Sequence, residues 1–211
     1  LNKQISKIYS KRFDNYNNTP KGVFWNSKLS QDLRLNIILD KILQNTKIEK
    51  TSIADVGCGY GRLYEIIKER NLDNKVQYYG FDINQKLINF CKNNKDFENV
   101  EFATSALPYR NTDYVVMSGT YNLAVTKDVF AWESYIFECL EKCWNKTSKA
   151  MVFNLQIANK AKVSDSNIYF AEKSKIIETC VTLFGPTRII FDDNLPNDAT
   201  FSVINRNLVS S

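Results

Sequence analysis

One stretch of the sequence decides the fold: Ala54-Asp55-Val56-Gly57-Cys58-Gly59-Tyr60-Gly61-Arg62-Leu63. An apolar run at 53–56 predicts a strand that leads into it, and the pattern of 62–69 predicts a helix that follows it. Glycine suits the turn between them, because the backbone there turns sharply and approaches a ligand closely, where any Cβ would intrude. The stretch therefore predicts a ligand-binding loop between a buried strand and a helix.

Two acids accompany the glycines. Asp55 stands before the first one, and Asp82 follows Gly57 by 25 residues at the end of the second predicted strand, where an acid can accept hydrogen bonds from a ribose diol. The alternative for Asp82 is a helix N-cap, since Asp suits that position and Gln85 follows. Enzymes that bind NAD space their glycines as Gly-x-Gly-x-x-Gly. The spacing here is Gly-x-Gly-x-Gly, which does not favour an NAD-dependent oxidoreductase.

Outward from this loop, short apolar strands alternate with amphipathic helices. Strands are predicted at 53–56, 76–81, 100–103, 114–117, 150–155, 188–191 and 200–204, and helices at 62–69, 85–93, 129–144 and 172–183. Such alternation predicts parallel strands joined by right-handed crossovers in an α/β sandwich. The last two strands lie too close together for a helix between them, so they are expected to form an antiparallel hairpin.

The N-terminal part has a different pattern. Apolar residues at helical spacing predict one helix at 2–16 and a second at about 27–44, separated by a polar stretch with Pro20 and Gly22. With 211 residues and 44% hydrophobic residues, one domain is the default. We therefore predict a single domain, 1–211, made of an N-terminal helical segment (1–47) and an α/β core (48–211).

Composition excludes several classes of function. The chain contains no His, which removes Ser-His-Asp hydrolysis, Cys-His proteolysis and His-ligated metals. No apolar run approaches 18 residues, so no membrane insertion is expected. An odd number of cysteines, five, without a visible secretory signal predicts reduced thiols and a cytoplasmic location. Cys139 and Cys143 could share a helix face, but a zinc site needs two more ligands, so we expect core thiols.

The net charge of +5 is unevenly distributed. Residues 1–50 hold 10 Lys and Arg against 4 Asp and Glu, whereas residues 51–211 hold 18 against 19. A basic N-terminal segment could meet an anionic substrate or a nucleic acid. No Lys/Arg run or aromatic platform strengthens the nucleic-acid interpretation, so a solvated face is favoured.

With these residues in view, the chain resembles the class I S-adenosylmethionine-dependent methyltransferases. The run from Asp55 to Gly61 is similar to their first motif, and Phe81-Asp82-Ile83 to their second. The turn at 192–197 fits the reversed last strand of that family. The resemblance covers roughly 28–206. It implies a Rossmann-like, seven-stranded, mostly parallel sheet with helices on both faces, an antiparallel last strand and an N-terminal helical lid. It also implies S-adenosyl-L-methionine as cofactor and S-adenosyl-L-homocysteine as product.

A narrower likeness is to a group of small bacterial methyltransferases linked to the modification of surface glycans or small metabolites. The residues that carry it are 20–25, Gln31, Arg34, 118–122 and 153–155. This likeness does not name an acceptor.

The family resemblance implies the cofactor-binding residues. Asp55 and the loop residues Gly57, Cys58, Gly59 and Gly61 would hold the methionine part of the cofactor, with a ligand-free tight turn as the alternative. Asp82 would bind the ribose and Ile83 would pack on the adenine. The remaining cofactor-binding candidates are Thr104, Ser105 and Ala106, in the place where many relatives have an acid facing the adenine, Ser118 and Gly119 after the fourth strand, and Trp25 and Arg34 from the N-terminal segment.

The acceptor side is less defined. Candidate substrate-binding residues are Tyr9, Arg12, Phe13, Tyr121, Asn122 and Asn154. Ordinary packing is the alternative for Tyr9 and Phe13, and a polar loop for Tyr121 and Asn122. No general base is identified, and no metal is expected.

We therefore predict methyl transfer by in-line displacement to a small polar acceptor, such as a sugar, a glycan precursor or its substituent. Two alternatives stay open: an RNA methyltransferase that uses the basic N-terminal segment, and a cofactor-binding protein without catalysis. The oligomeric state cannot be deduced.

Overall fold

The computed structural model describes residues 1–25, 27–44, 50–98 and 100–205. It divides into two compact units, residues 1–108 and residues 109–211, which are described separately. The predicted boundary at residue 47 lies outside the described residues, and the division into lid and core stays a prediction.

The first unit begins with helices and continues with a parallel sheet. Its elements are α1 (Asn2–Tyr16), a 3-10 helix (Pro20–Val23), α2 (Lys28–Leu43), β1 (Thr51–Val56), α3 (Arg62–Glu69), β2 (Val76–Asp82), α4 (Gln85–Asn93) and β3 (Glu101–Thr104). β2 pairs in parallel with β1 on one side and with β3 on the other. Because the strands are parallel, the glycine loop after β1 and Asp82 at the end of β2 emerge at the same edge.

The N-terminal helices form where local signals favour them. In α1, Ile5, Tyr9 and Phe13 recur every four residues and form one apolar stripe. Ser27 caps α2, because its side chain accepts a hydrogen bond from the backbone N–H of Ser30 at 3.1 Å. Both predicted N-terminal helices are thus present.

The second unit contains a mixed sheet. Its elements are β4 (Thr112–Met117), α5 (Val129–Trp144), β5 (Thr147–Ala158), β6 (Lys162–Val163), β7 (Tyr169–Glu172), α6 (Lys173–Leu183), β8 (Thr187–Ile190) and β9 (Asp198–Ile204). β5 pairs in parallel with β4 and β7, and antiparallel with β9. β8 and β9 form the predicted antiparallel hairpin.

The α/β fold class is confirmed, with an antiparallel last strand. All seven predicted strands are present, and β5 is longer than expected. The sequence analysis missed two short strands, β6 and β7, which form a small antiparallel pair beside the end of β5. β6 has only two residues, too few to give a period-2 pattern, which explains its omission.

The structure also bears on the predictions about the cysteines and about membrane insertion. All five cysteines are free and buried, as expected for core thiols. In the described part of the chain, no helix has both the length and the apolar character that crossing a membrane requires.

Candidate functional site

The glycine loop follows β1 and requires its glycines. Gly57, Gly59 and Gly61 have φ angles of 76°, 59° and 88°, in the left-handed region that other residues adopt only with strain. The backbone N–H groups of Gly57 and Cys58 both donate to the carbonyl oxygen of Phe81, at 2.7 and 3.0 Å. The loop is therefore fixed to the end of β2, beside Asp82.

Asp82 is held by the glycine loop itself. One carboxylate oxygen accepts the backbone N–H of Gly59 at 3.0 Å, and the other accepts that of Asn84 at 2.8 Å. Burial raises the pKa of Asp82 to about 6, although both hydrogen bonds act in the opposite direction. A carboxylate oxygen has more than one lone pair, so each oxygen can still accept a hydroxyl hydrogen.

The N-cap alternative for Asp82 is wrong, because Asn84 occupies that position. The Asn84 side-chain oxygen accepts the backbone N–H of Lys86 at 2.9 Å and caps α4. The neighbouring Gln85 instead accepts a hydrogen bond from the Thr104 hydroxyl at 2.9 Å. The Asp82 carboxylate is therefore not used as a helix cap.

Asp55 lies beneath the loop and is almost fully buried. The hydroxyl of Tyr78 donates to its carboxylate at 2.6 Å. Burial raises the pKa of Asp55 to about 7, the Tyr78 hydrogen bond lowers it, and the negative charge of Asp82 raises it. Two buried acids with perturbed pKa values at one sheet edge are typical of a functional site.

The other predicted residues of this edge lie around Asp82. The backbone N–H of Ser105 donates to the Asp82 carbonyl oxygen at 2.9 Å, so Thr104, Ser105 and Ala106 continue from β3 beside it. Ile83 is half-buried, and its carbonyl oxygen accepts the Ser6 hydroxyl at 3.2 Å. Burial raises the pKa of the Cys58 thiol, so Cys58 is a protonated packing group in the loop.

The N-terminal segment packs against the glycine loop. Buried Val23, Tyr60 and Leu87 form a cluster, and partly buried apolar side chains pack around it: Tyr9, Phe13, Trp25 and Phe90. A Cβ on Gly59 would lie 3.4 Å from a methyl group of Val23. Burial raises the pKa of Tyr9, and the negative charge of Asp82 raises it further. The structure thus brings the N-terminal segment to the predicted cofactor residues.

Trp25 and Arg34 form a pair, whereas Arg12 is engaged in packing. The Arg34 guanidinium lies 4.6 Å from the Trp25 ring centroid. Arg12 donates to the Lys21 carbonyl oxygen at 2.8 Å, and its guanidinium lies 4.4 and 4.7 Å from the rings of Tyr16 and Phe24. These contacts direct Arg12 to its own segment and do not support a pairing with an anionic acceptor.

In the second unit, Asn154 organises the turn after β4. Its side-chain oxygen accepts the backbone N–H of Gly119 at 2.8 Å, and its amide donates to the Ser118 hydroxyl at 3.2 Å. Gly119 has a φ of 70°, again in the left-handed region. Ser118, Gly119 and Asn154 therefore form one hydrogen-bonded group.

Tyr121 and Asn122 follow this turn and differ in their surroundings. Tyr121 is buried, its hydroxyl donates to the Met117 sulfur at 3.5 Å, and its ring packs edge-on against Tyr135. Asn122 is half-buried, and its side-chain oxygen accepts the backbone N–H of Gln156 at 3.3 Å. Packing therefore accounts for Tyr121, and Asn122 fixes the loop to β5.

Sequence reasoning missed Asn84, Tyr78 and Val23. A signal existed for Asn84, because Asn is a preferred N-cap and stands just before the predicted helix. Nothing local identifies Tyr78 or Val23, whose roles depend on the pairing of β1 with β2 and on the packing of the N-terminal segment. Among the described residues, no group of three or more acids and cysteines is arranged to hold a metal ion.

Comparison with known proteins identifies the family. A family model described as a methyltransferase domain matches residues 47–178, which is more than half of the chain. The chain belongs to this methyltransferase family. It is an enzyme of the transferase class, and S-adenosyl-L-methionine is the cofactor bound in a solved structure of the same fold.

Individual relatives of this methyltransferase are distant. The protein Rv1506c of Mycobacterium tuberculosis, which is named as a methyltransferase, is 25% identical over 147 residues, covering 67% of this chain and 86% of that protein. The magnesium protoporphyrin IX methyltransferase ChlM of Synechocystis PCC 6803, solved with bound cofactor, has a TM-score of 0.60 at 12% identity, covering 83% of this chain and 79% of the other. The plantazolicin methyltransferase BpumL, solved with a substrate analogue, has a TM-score of 0.61 at 13% identity, covering 95% and 90%. These two structures share the Rossmann-like fold.

The residues present in the methyltransferase fit the cofactor. Three left-handed glycines at alternate positions form a loop that donates a backbone N–H to Asp82, and the Asp82 carboxylate keeps lone pairs for two ribose hydroxyls. When bound, the cofactor supplies an electrophilic methyl group on a sulfonium. A cationic sulfonium ligand also suits an edge that carries two buried acids.

Proposed function

We propose that this methyltransferase transfers a methyl group by in-line displacement to a small polar acceptor, such as a sugar, a glycan precursor or its substituent. The observation that supports this proposal most directly is the hydrogen bond from the glycine loop to the Asp82 carboxylate. A glycine loop beside such an acid is typical of a site that binds a ribose-containing ligand. The individual roles that follow are part of the proposal.

The first unit would bind and orient the cofactor. Loop residues Gly57, Cys58, Gly59 and Gly61 hold its methionine part, with Asp55 beneath them. Asp82 accepts hydrogen bonds from the ribose, and Ile83 with residues 104–106 borders the adenine. Arg34 pairs with the cofactor carboxylate while Trp25 shields it, which the contact between the two side chains supports.

The second unit would contribute the acceptor side. Ser118 and Gly119 follow β4, and the carboxyl ends of parallel strands are where open α/β sheets bind ligands. Asn122 supplies its side-chain amide to a polar acceptor, and the buried Asn154 holds the turn that carries Ser118 and Gly119. Alignment of the two reactants provides most of the rate in such a displacement, so no general base is required for an acceptor that is already nucleophilic.

Acceptor size is inferred from the described chain. Between residues 50 and 205, the described elements follow one another with only the short pair β6 and β7 added to the predicted set, which leaves no inserted recognition domain in that range. The names of ChlM and BpumL show that this fold also serves magnesium protoporphyrin IX and plantazolicin, so fold alone does not select the acceptor. We place the enzyme in the cytoplasm because its five cysteines are free thiols.

The test is a turnover assay with an acceptor panel. Formation of S-adenosyl-L-homocysteine is followed for sugars, nucleotide sugars, other small polar metabolites, peptides and RNA. We expect turnover with at least one small polar acceptor and none with RNA. Turnover confined to peptides or RNA would contradict the proposed acceptor class, and binding of the cofactor without turnover on any acceptor would favour a non-catalytic protein.

A further inference from the structure

Asn84 is fully buried and joins three parts of the first unit. Its backbone N–H donates to the Asp82 carboxylate at 2.8 Å, and its side-chain oxygen caps α4 through the N–H of Lys86 at 2.9 Å. Its side-chain amide donates to α1, at 3.2 Å to the Ser6 carbonyl oxygen and at 3.1 Å to the Ser10 hydroxyl. One residue therefore contacts the ribose-binding acid, the start of α4 and the N-terminal helix.

The contact with α1 is reinforced from the other side. The Ser6 hydroxyl donates to the carbonyl oxygen of Ile83, the residue between Asp82 and Asn84. The backbone carbonyl of Ile83 and the side-chain amide of Asn84 are thus connected to two residues of α1 by three hydrogen bonds. This arrangement fixes the direction in which the 82–84 backbone presents the Asp82 carboxylate.

The other contacts of α1 are less directional. Its Tyr9 and Phe13 pack into the apolar cluster around Val23, which tolerates small shifts because apolar contacts have no preferred direction. Asp14 pairs with Lys86 at 2.7 Å, but both side chains are about half exposed, and such surface pairs contribute little. The directional contacts between α1 and residues 83–84 are therefore the hydrogen bonds of the Ser6 hydroxyl and of the Asn84 amide, and the Asn84 amide makes two of the three.

We propose that Asn84 is a positioning residue that couples the docking of α1 to the orientation of the Asp82 carboxylate towards the ribose of the cofactor. The inference rests on the proposed role of Asp82 in ribose binding. Coupling is reciprocal, so a bound cofactor holds α1 in place as α1 holds the carboxylate for the cofactor. An N-terminal helix then controls affinity without touching the ribose.

The decisive variant is Asn84→Ser. Serine is a preferred N-cap and keeps the backbone N–H to Asp82, but its side chain is too short to reach α1. We expect S-adenosyl-L-homocysteine to bind about tenfold more weakly. Hydrogen exchange of residues 2–16 should slow in the wild type when this ligand is added, and in the variant it should no longer respond. Asn93→Ser, at an exposed position in the last turn of α4, is the matched control and should leave both readouts unchanged.

A double-mutant cycle separates positioning from a general structural role. In an Asp82→Asn background, Asn84→Ser should cost less than about twofold in affinity, because the carboxylate that it orients is gone. Ser10→Ala, which removes one acceptor on α1, gives a milder loss of about threefold and serves if Asn84→Ser does not fold. Equal losses in both backgrounds, or unchanged exchange of 2–16, would overturn the coupling. Failure of the wild type to bind the ligand would overturn the proposed function together with the coupling.

Discussion

At the scale of single residues, the buried carboxyl group of Asp55 lowers the free energy of unfolding by an amount that depends on pH. Its carboxyl group is buried with a pKa of about 7, well above the value of about 3.9 in an unfolded chain. Below pH 4 the group is protonated in both states and adds no cost. As the pH rises from about 4 to about 7, only the unfolded state loses its proton, so the free energy of unfolding falls. Above pH 7 the loss is complete.

Asp55→Asn removes this titration and so predicts a pH-dependent difference. The free energy of unfolding of the variant minus that of the wild type should increase between pH 4.5 and pH 8, by about 4 kcal/mol at most. Urea unfolding of both proteins at several pH values measures it. Asp73→Asn, an exposed acid of the same unit, is the control. Parallel pH profiles for Asp55→Asn and the wild type would show that Asp55 is not buried as a perturbed acid.

At the scale of elements, the loop after β1 depends on its middle glycine. Gly59→Ala places a Cβ in the left-handed region and 3.4 Å from Val23, at a cost of about 1–2 kcal/mol in stability. It also shifts the N–H that donates to Asp82, so affinity for S-adenosyl-L-homocysteine should fall more than stability alone explains. Calorimetric binding and thermal unfolding measure the two effects. Gly185→Ala, at a glycine outside the left-handed region, should spare binding.

The turn after β4 depends in the same way on a side chain of β5. Asn154→Ala removes the partner of the Gly119 N–H and of the Ser118 hydroxyl, and the free energy of unfolding should fall by about 1–3 kcal/mol. Asn159→Ala, on the exposed end of the same strand region, is expected to change it by less than about 0.5 kcal/mol. Chemical unfolding compares the two. Similar stabilities for both variants would mean that Asn154 does not hold the turn.

At the scale of the whole molecule, the fold follows from local patterns and most of the site follows from the glycine motif. Alternating strands and helices predicted the α/β class. The spacing of Gly57, Gly59 and Gly61 predicted the loop, because a left-handed backbone conformation favours glycine, which is visible in the sequence. The Asn84 contacts with α1 produce no sequence pattern, since they join residues more than 70 positions apart. The strand β6 could not be predicted for a different reason: its two residues are too few to form a hydrophobic pattern.

The same limit applies to side-chain orientation. Tyr121 and Asn122 are neighbours with similar sequence signals, yet one packs in the core and the other fixes a loop. Which side chain turns inward depends on α5, whose Tyr135 receives the Tyr121 ring. Tertiary packing, which no local pattern encodes, therefore decides which polar residues remain available to an acceptor.

The central claim is that the glycine loop and Asp82 bind the ribose and methionine parts of S-adenosyl-L-methionine. Its most direct test is a calorimetric titration of the wild type and Asp82→Asn with S-adenosyl-L-homocysteine, and with NAD as the competing ligand. We predict micromolar binding of the first ligand, weakened in the variant by about 1–3 kcal/mol through lost ribose hydrogen bonds, and no binding of NAD. Binding of NAD without S-adenosyl-L-homocysteine, or equal affinity in the variant, would contradict the account.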